Sequence, residues 1–119
     1  MALARFGNDD RWRVALSWHA PGLGIELLTV PRQPAIGKWS IERISEISQD
    51  EALSTGDIDR DGRPDLLLGT RWLRNEGTGR WSIHVIDPER DNPDRNRLAD
   101  IDGDGRLDAV VGFEAISEA

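Results

Sequence analysis

An acidic nine-residue motif that occurs twice is the feature that most constrains this chain. Aspartates stand at its first, third, fifth and ninth positions, and glycine stands at its sixth. The copies comprise residues 57–65 and 100–108, an offset of 43 residues. Their aspartates are Asp57, Asp59, Asp61 and Asp65, and Asp100, Asp102, Asp104 and Asp108. A motif that recurs in this way predicts a structural repeat.

A second matching segment precedes each motif. Residues 39–44 and 81–86 both begin Trp-Ser-Ile, at an offset of 42 residues. Two motifs that recur in the same order at nearly one period point to propeller blades or to helical arrays. The alternation of residue types in both segments has the period of a half-buried strand, and the chain shows no stretch with three turns of helical periodicity.

Each acidic motif runs directly into a short apolar segment closed by glycine. Residues 66–68 and 109–111 have the composition of buried strands. The predicted fold class is therefore all-β, with propeller-type blades of antiparallel four-stranded sheets.

The first 38 residues look like a degenerate copy of the same unit. Residues 8–17 can be laid over 61–69, which places Arg13 at the position of Asp65. The upstream acidic positions then hold Arg5 and Gly7. This copy keeps its strand but is predicted not to bind a cation.

The spacing of the aspartates suits a hard divalent cation. Carboxylates at alternate positions of a curled loop converge on one point, and Ca²⁺ takes six to eight oxygens. A backbone carbonyl at the seventh position, of Arg63 or Arg106, is predicted to add a ligand, with Asp65 or Asp108 as the late one. An EF-hand would need Glu at position twelve, where Leu68 and Val111 stand. Two structural Ca²⁺ sites are predicted; the alternative is a polar Asp-Gly turn that binds nothing.

The chain has 119 residues and a formal net charge of −7. The eight loop aspartates account for this acidity, because the rest of the sequence sums to about +1. An acidic balance argues against a nucleic-acid binder and against docking on anionic membranes. The sequence has no cysteine, which excludes disulfides and thiolate chemistry. We find neither an 18-residue apolar run nor a signal peptide, so membrane insertion is not expected.

Residues 57–69 and 100–112 resemble the FG-GAP/VCBS repeats of integrin-α-like β-propellers, and residues 71–77 and 79–86 resemble the second and third strands of such a blade. The resemblance implies Ca²⁺ between blade strands and an extracellular or cell-surface location. It implies a degenerate first blade unit at 1–55, a second unit at 56–98 and the start of a third at 99–119.

A propeller needs roughly four to eight blades, and this chain supplies fewer than three. The sequence therefore predicts an incomplete propeller. Its ring would be completed by a homo-oligomer or by further blades of a longer parent chain.

Tryptophans are the remaining candidates for ligand contact. Trp39 and Trp81 occupy equivalent positions, which favours a packing role, whereas Trp72 and Trp18 are candidates for stacking on a sugar. The sequence has no G-x-S-x-G motif, and we expect no enzymatic activity. The predicted function is a non-catalytic calcium-binding module for structural or protein-interaction roles. The alternatives are a lectin-like carbohydrate-binding propeller and an accessory module of a glycan-cleaving enzyme.

Overall fold

The computed structural model describes residues 1–18, 20–90 and 92–113, and these residues form ten strands and no helix. The strands are β1 Ala2–Ala4, β2 Arg13–Ser17, β3 Ile25–Thr29, β4 Ser40–Ser45, β5 Ser54–Gly56, β6 Asp65–Leu67, β7 Arg71–Gly77, β8 Arg80–Val85, β9 Pro93–Ala99 and β10 Asp108–Phe113. The all-β prediction is confirmed. Over the described ranges there is accordingly no helix of the length and apolar character needed to cross a bilayer.

The strands form three antiparallel sheets in which each strand pairs with the next along the chain. The first sheet has the order β1-β2-β3-β4, and the second has the order β5-β6-β7-β8. Strands β9 and β10 form a two-stranded hairpin. Short connections between sequential strands favour this meander, because adjacent elements then pair without crossovers.

The loop between the first two strands has the same length in all three sheets. Pairing ends at Ala4 with Arg13, at Gly56 with Asp65 and at Ala99 with Asp108. The loops are therefore residues 5–12, 57–64 and 100–107. This is the register expected from laying residues 8–17 over 61–69. Residues 114–119 of the predicted third unit lie outside the described residues.

The main core lies between the first and second sheets. Ala15, Ile25 and Leu27 of the first sheet pack with Leu66 and Leu73 of the second. At its edge the Phe6 and Trp81 rings lie 5.8 Å apart between centroids. Burial of these side chains is the main force that holds the two sheets together.

The opposite face of the second sheet packs on the hairpin. The Ser54 hydroxyl lies 2.6 Å from Asn96 Oδ1, and Asn96 Nδ2 donates to the Ala52 carbonyl at 3.0 Å. Gly56 permits this approach, since a Cβ there would lie 2.6 Å from Leu107 Cδ1. The second sheet therefore lies between the first sheet and the hairpin.

Two sequence expectations differ from the structure. Residues 66–68 are buried as expected, but Ala109 and Val110 in the corresponding strand are exposed. Val110 lies on the face of the hairpin that no other sheet covers among the described residues. Trp81 packs against the core as expected. Trp39, in contrast, precedes β4, is largely exposed and donates its indole N–H to the Pro34 carbonyl at 3.2 Å.

Candidate metal centre

The loop between β5 and β6 gathers four carboxylates. Asp57, Asp59, Asp61 and Asp65 each offer an oxygen, and these oxygens all lie within 4.8 Å of one another. Oxygens that share one Ca²⁺ at 2.3–2.6 Å are at most about 5 Å apart. The four predicted side-chain ligands of the first motif are therefore close enough together to share one ion.

Backbone amides hold these carboxylates in place. Asp57 accepts hydrogen bonds from the amides of Asp61 at 3.0 Å and Gly62 at 2.8 Å. Asp61 accepts one from the amide of Arg63 at 2.9 Å. Each carboxylate oxygen has a second lone pair, so these bonds orient the carboxylates and leave acceptor capacity for a cation.

The loop between β9 and β10 repeats this conformation. Asp100 accepts from the amides of Asp104 at 3.1 Å and Gly105 at 2.9 Å, and Asp104 accepts from the amide of Arg106 at 2.8 Å. Each distance differs from its counterpart in the first loop by only about 0.1 Å. Two sequences that share the aspartates therefore fold into the same local structure.

Left-handed backbone conformations produce the curl. Gly62 and Gly105, at the sixth position, have φ angles of 88° and 85°. The fourth position is also left-handed, with Arg60 at 64° and Gly103 at 76°. Glycine tolerates such angles without steric cost, which explains its presence at position six.

The ninth aspartate differs between the loops. Asp65 is fully buried and accepts the amides of Ile58 and Asn75, both at 2.9 Å. Burial, together with the charges of Asp59 and Asp61, raises the pKa of Asp65 to about 6, against the effect of the two amides. A bound cation would favour the ionised form of this carboxyl group.

Asp108 accepts the same backbone hydrogen bond as Asp65 does in the first loop, but its carboxylate lies outside the cluster. Its Oδ2 accepts the amide of Ile101 at 2.8 Å. Among the described residues, the group of mutually close carboxylates in this loop comprises Asp100, Asp102 and Asp104. The second loop thus brings together three of its four predicted carboxylates.

Arg74 of β7 supplies a counter-charge to the first loop. Its guanidinium forms ion pairs with Asp59, with Asp61 at 3.7 Å and with Glu76 at 2.9 Å. Desolvation opposes ionisation of Asp59, but the hydrogen bond and charge of Arg74 leave the pKa of Asp59 below its ordinary value. The spacing of the motif does not predict the contacts of Arg74, because the β6–β7 turn that brings it back over the loop lies outside the motif.

The loop of the first sheet contains an internal cation where the others have an aspartate. Arg13 stands at the position of Asp65 and makes two hydrogen bonds to the Asp9 carboxylate, at 2.8 and 3.0 Å. This contact lowers the pKa of Asp9 to about 2. Arg5, at the position of Asp57, lies over the Trp12 ring at 4.7 Å. Guanidinium groups therefore replace two carboxylates in this loop.

The two tryptophans proposed to contact sugars lie in different surroundings. Trp72 stacks on His84 with ring centroids 4.8 Å apart, so one face of its indole is covered. Trp18 is 48% exposed. Sugar binding by either residue remains a prediction.

Comparison of the chain with protein-family models, curated proteins and solved structures gives no match.

Proposed function

We propose that this chain is a non-catalytic calcium-binding module built from propeller-type β-repeats, in which Ca²⁺ fixes the loop between the first two strands of a sheet. The observation that carries the proposal is the shared conformation of the two acidic loops. Each gathers carboxylate oxygens within the span that one Ca²⁺ can bridge. Because these loops connect paired strands, a bound ion would stabilise the sheets.

The proposed role is structural and suits an extracellular or cell-surface protein. Calcium modules in that setting bind with dissociation constants of about 10⁻⁴–10⁻³ M. Both loops are consistent with that range: Arg74 already neutralises part of the first, and the second brings together only three carboxylates.

Calcium titration of single-loop variants tests the proposal. Isothermal titration calorimetry of the wild type should resolve two sites, and Asp57→Asn and Asp100→Asn should each remove one. Asp10→Asn is the matched control, since Asp10 lies in loop 5–12, which the structure describes and in which it places no such cluster. Excess Ca²⁺ should raise the melting temperature relative to EGTA, because the ion binds the folded state. A wild-type protein that shows no binding heat and the same melting temperature in Ca²⁺ and EGTA would refute the proposal.

A further inference from the structure

Apolar side chains cross all four strands of the first sheet on the face turned away from the second sheet. Cross-strand pairing places Leu3 beside Val14, Val14 beside Leu28, and Leu28 beside Ile41. Leu3 and Ile41 are 55% and 65% exposed. We call these four residues the outer row. A continuous apolar row on an open sheet face is a typical contact surface.

The second sheet carries the corresponding row, and there its two central members are covered. Pairing places Thr55 beside Leu66, Leu66 beside Leu73, and Leu73 beside Ile83. Leu66 and Leu73 are almost completely inaccessible, because they belong to the core shared with the first sheet. In the second sheet the central residues of this row are thus buried where the preceding sheet packs over them.

The surface that packs over this row is formed by a second row of residues, which also recurs from sheet to sheet. We call it the covering surface. In the first sheet it runs through Ala2, Ala15 and Leu27, all members of the core cluster. Ala15 stands two residues after Arg13, at the start of β2. Leu67 and Val110 stand at the same distance after Asp65 and Asp108.

Ala15, Leu67 and Val110 form a series of equivalent positions, and Val110 is the one that is left exposed. It pairs with Arg97, whereas its neighbour Val111 pairs with Asn96, which bonds to the second sheet. Alternation along the strand therefore turns Val110 to the open face of the hairpin, where it is 50% exposed. This face of the hairpin corresponds to the covering surfaces of the other two sheets. Among the residues that the structure describes, no sheet packs against it.

We infer that the chain associates head to tail with a second copy, the hairpin face around Val110 packing on the outer row of the first sheet. The contact would repeat the register of the packing that already joins the first sheet to the second, with Arg97 beside Val110 where the first sheet has Ala2 beside Ala15. The second copy would cover mainly Leu3 and Val14, since the hairpin is two strands wide. Such a contact is heterologous, and it builds rings or open chains rather than closed pairs. It does not require a cation in either loop.

Two charge substitutions and their mixture test the inference by sedimentation velocity over a concentration series. The wild type should grow beyond the dimer with concentration. Leu3→Lys blocks one face and Val110→Lys blocks the other, and each should weaken association by about tenfold or more, because the contact would then bury a second cation beside Arg97 without a partner. Mixed one to one, the variants should recover a dimer and nothing larger, because each contributes its intact face. Ile36→Lys, at an exposed loop position, is the matched control and should associate like the wild type.

Each alternative gives a different result. If two first sheets pack face to face, Val110→Lys associates like the wild type and Leu3→Lys stays monomeric in the mixture. If another protein covers the outer row, the wild type remains a monomer at the highest concentration. Either result overturns the inference. Far-ultraviolet circular dichroism confirms that each variant is folded, and runs in Ca²⁺ and in EGTA keep this test separate from that of calcium binding.

Discussion

Asp65 combines a position among the proposed ligands with complete burial. Its two backbone hydrogen bonds join the loop to β7, so the same carboxylate that faces Asp59 and Asp61 also organises the second sheet. The metal-free protein holds this group at a raised pKa of about 6, against an ordinary value of 3.8. Its protonation is therefore linked to folding.

We expect the metal-free protein to lose stability through Asp65 as the pH rises from about 4 to about 7. In that range the folded state binds a proton that the unfolded chain has released, so the free energy of unfolding falls with increasing pH. Asp65→Asn removes this contribution, and its stability relative to the wild type should improve by about 2 kcal/mol across the range. Urea denaturation in EGTA measures the difference, and a difference that does not change with pH would contradict the prediction.

Arg74 forms ion pairs with Asp59 and Asp61, so it would compete with a bound cation for these carboxylates. Arg74→Gln should therefore raise the calcium affinity of the first loop by about three- to tenfold, since it removes a positive charge next to the site. The measurement is calorimetric titration in an Asp100→Asn background, where only the first loop remains intact. Arg32→Gln, at an exposed position outside both loops, is the control. An unchanged or lower affinity would show that Arg74 does not compete.

At the level of elements, the second acidic loop is positioned by the packing of its hairpin on the second sheet. Strand β9 reaches that sheet through Asn96, and the Pro93 ring lies close to Gly69. Gly69 has a φ of 149°, and a Cβ there would overlap the Pro93 ring. The hairpin can thus pack in this position only because residue 69 is a glycine.

Gly69→Ala should destabilise the protein more than Gly22→Ala. Both glycines have positive φ angles, but a Cβ at Gly22 meets open space. We expect Gly22→Ala to cost about 1–2 kcal/mol of backbone strain and Gly69→Ala at least about 1 kcal/mol more. Chemical denaturation in Ca²⁺ checks the order, and equal losses would show that the Pro93 contact is unimportant.

Much of the second sheet could be predicted from local sequence. Three features depend only on neighbouring residues: the repeated motif, the glycine-closed strand and the shared loop length. They predict the loop conformation and the presence of Arg13 at the position of Asp65. The exposure of Trp39, the contacts of Arg74 and the position of Asp108 depend on packing between distant segments. Asn75 makes a contact of this kind between distant segments, because its side chain donates to the carbonyl of Phe6, 69 residues away, at 2.7 Å. Local sequence patterns do not predict contacts between segments that lie so far apart in the chain.

At the scale of the whole molecule, the charge distribution controls how the protein responds to its medium. Two short loops contain the acidity that gives the chain its net charge of −7. Without a cation, the carboxylates within each loop repel one another, and screening by salt weakens that repulsion.

We expect sodium chloride to raise the melting temperature of the metal-free protein and to have a much smaller effect in excess Ca²⁺. The ion neutralises the loops directly, so little repulsion remains for salt to screen. Differential scanning fluorimetry over a salt series, in EGTA and in Ca²⁺, makes the comparison. Equal salt responses in the two conditions would contradict this account of the charge.

The salt bridge between Arg13 and Asp9 gives the first sheet a counter-ion that cannot diffuse away. The loop of the second sheet has a partial internal counter-ion in Arg74. If the acidic loops bind Ca²⁺ as proposed, the first sheet keeps its loop structure without the ion, whereas the second sheet and the hairpin depend on it. Falling calcium would then loosen the protein in a fixed order, from the hairpin inward.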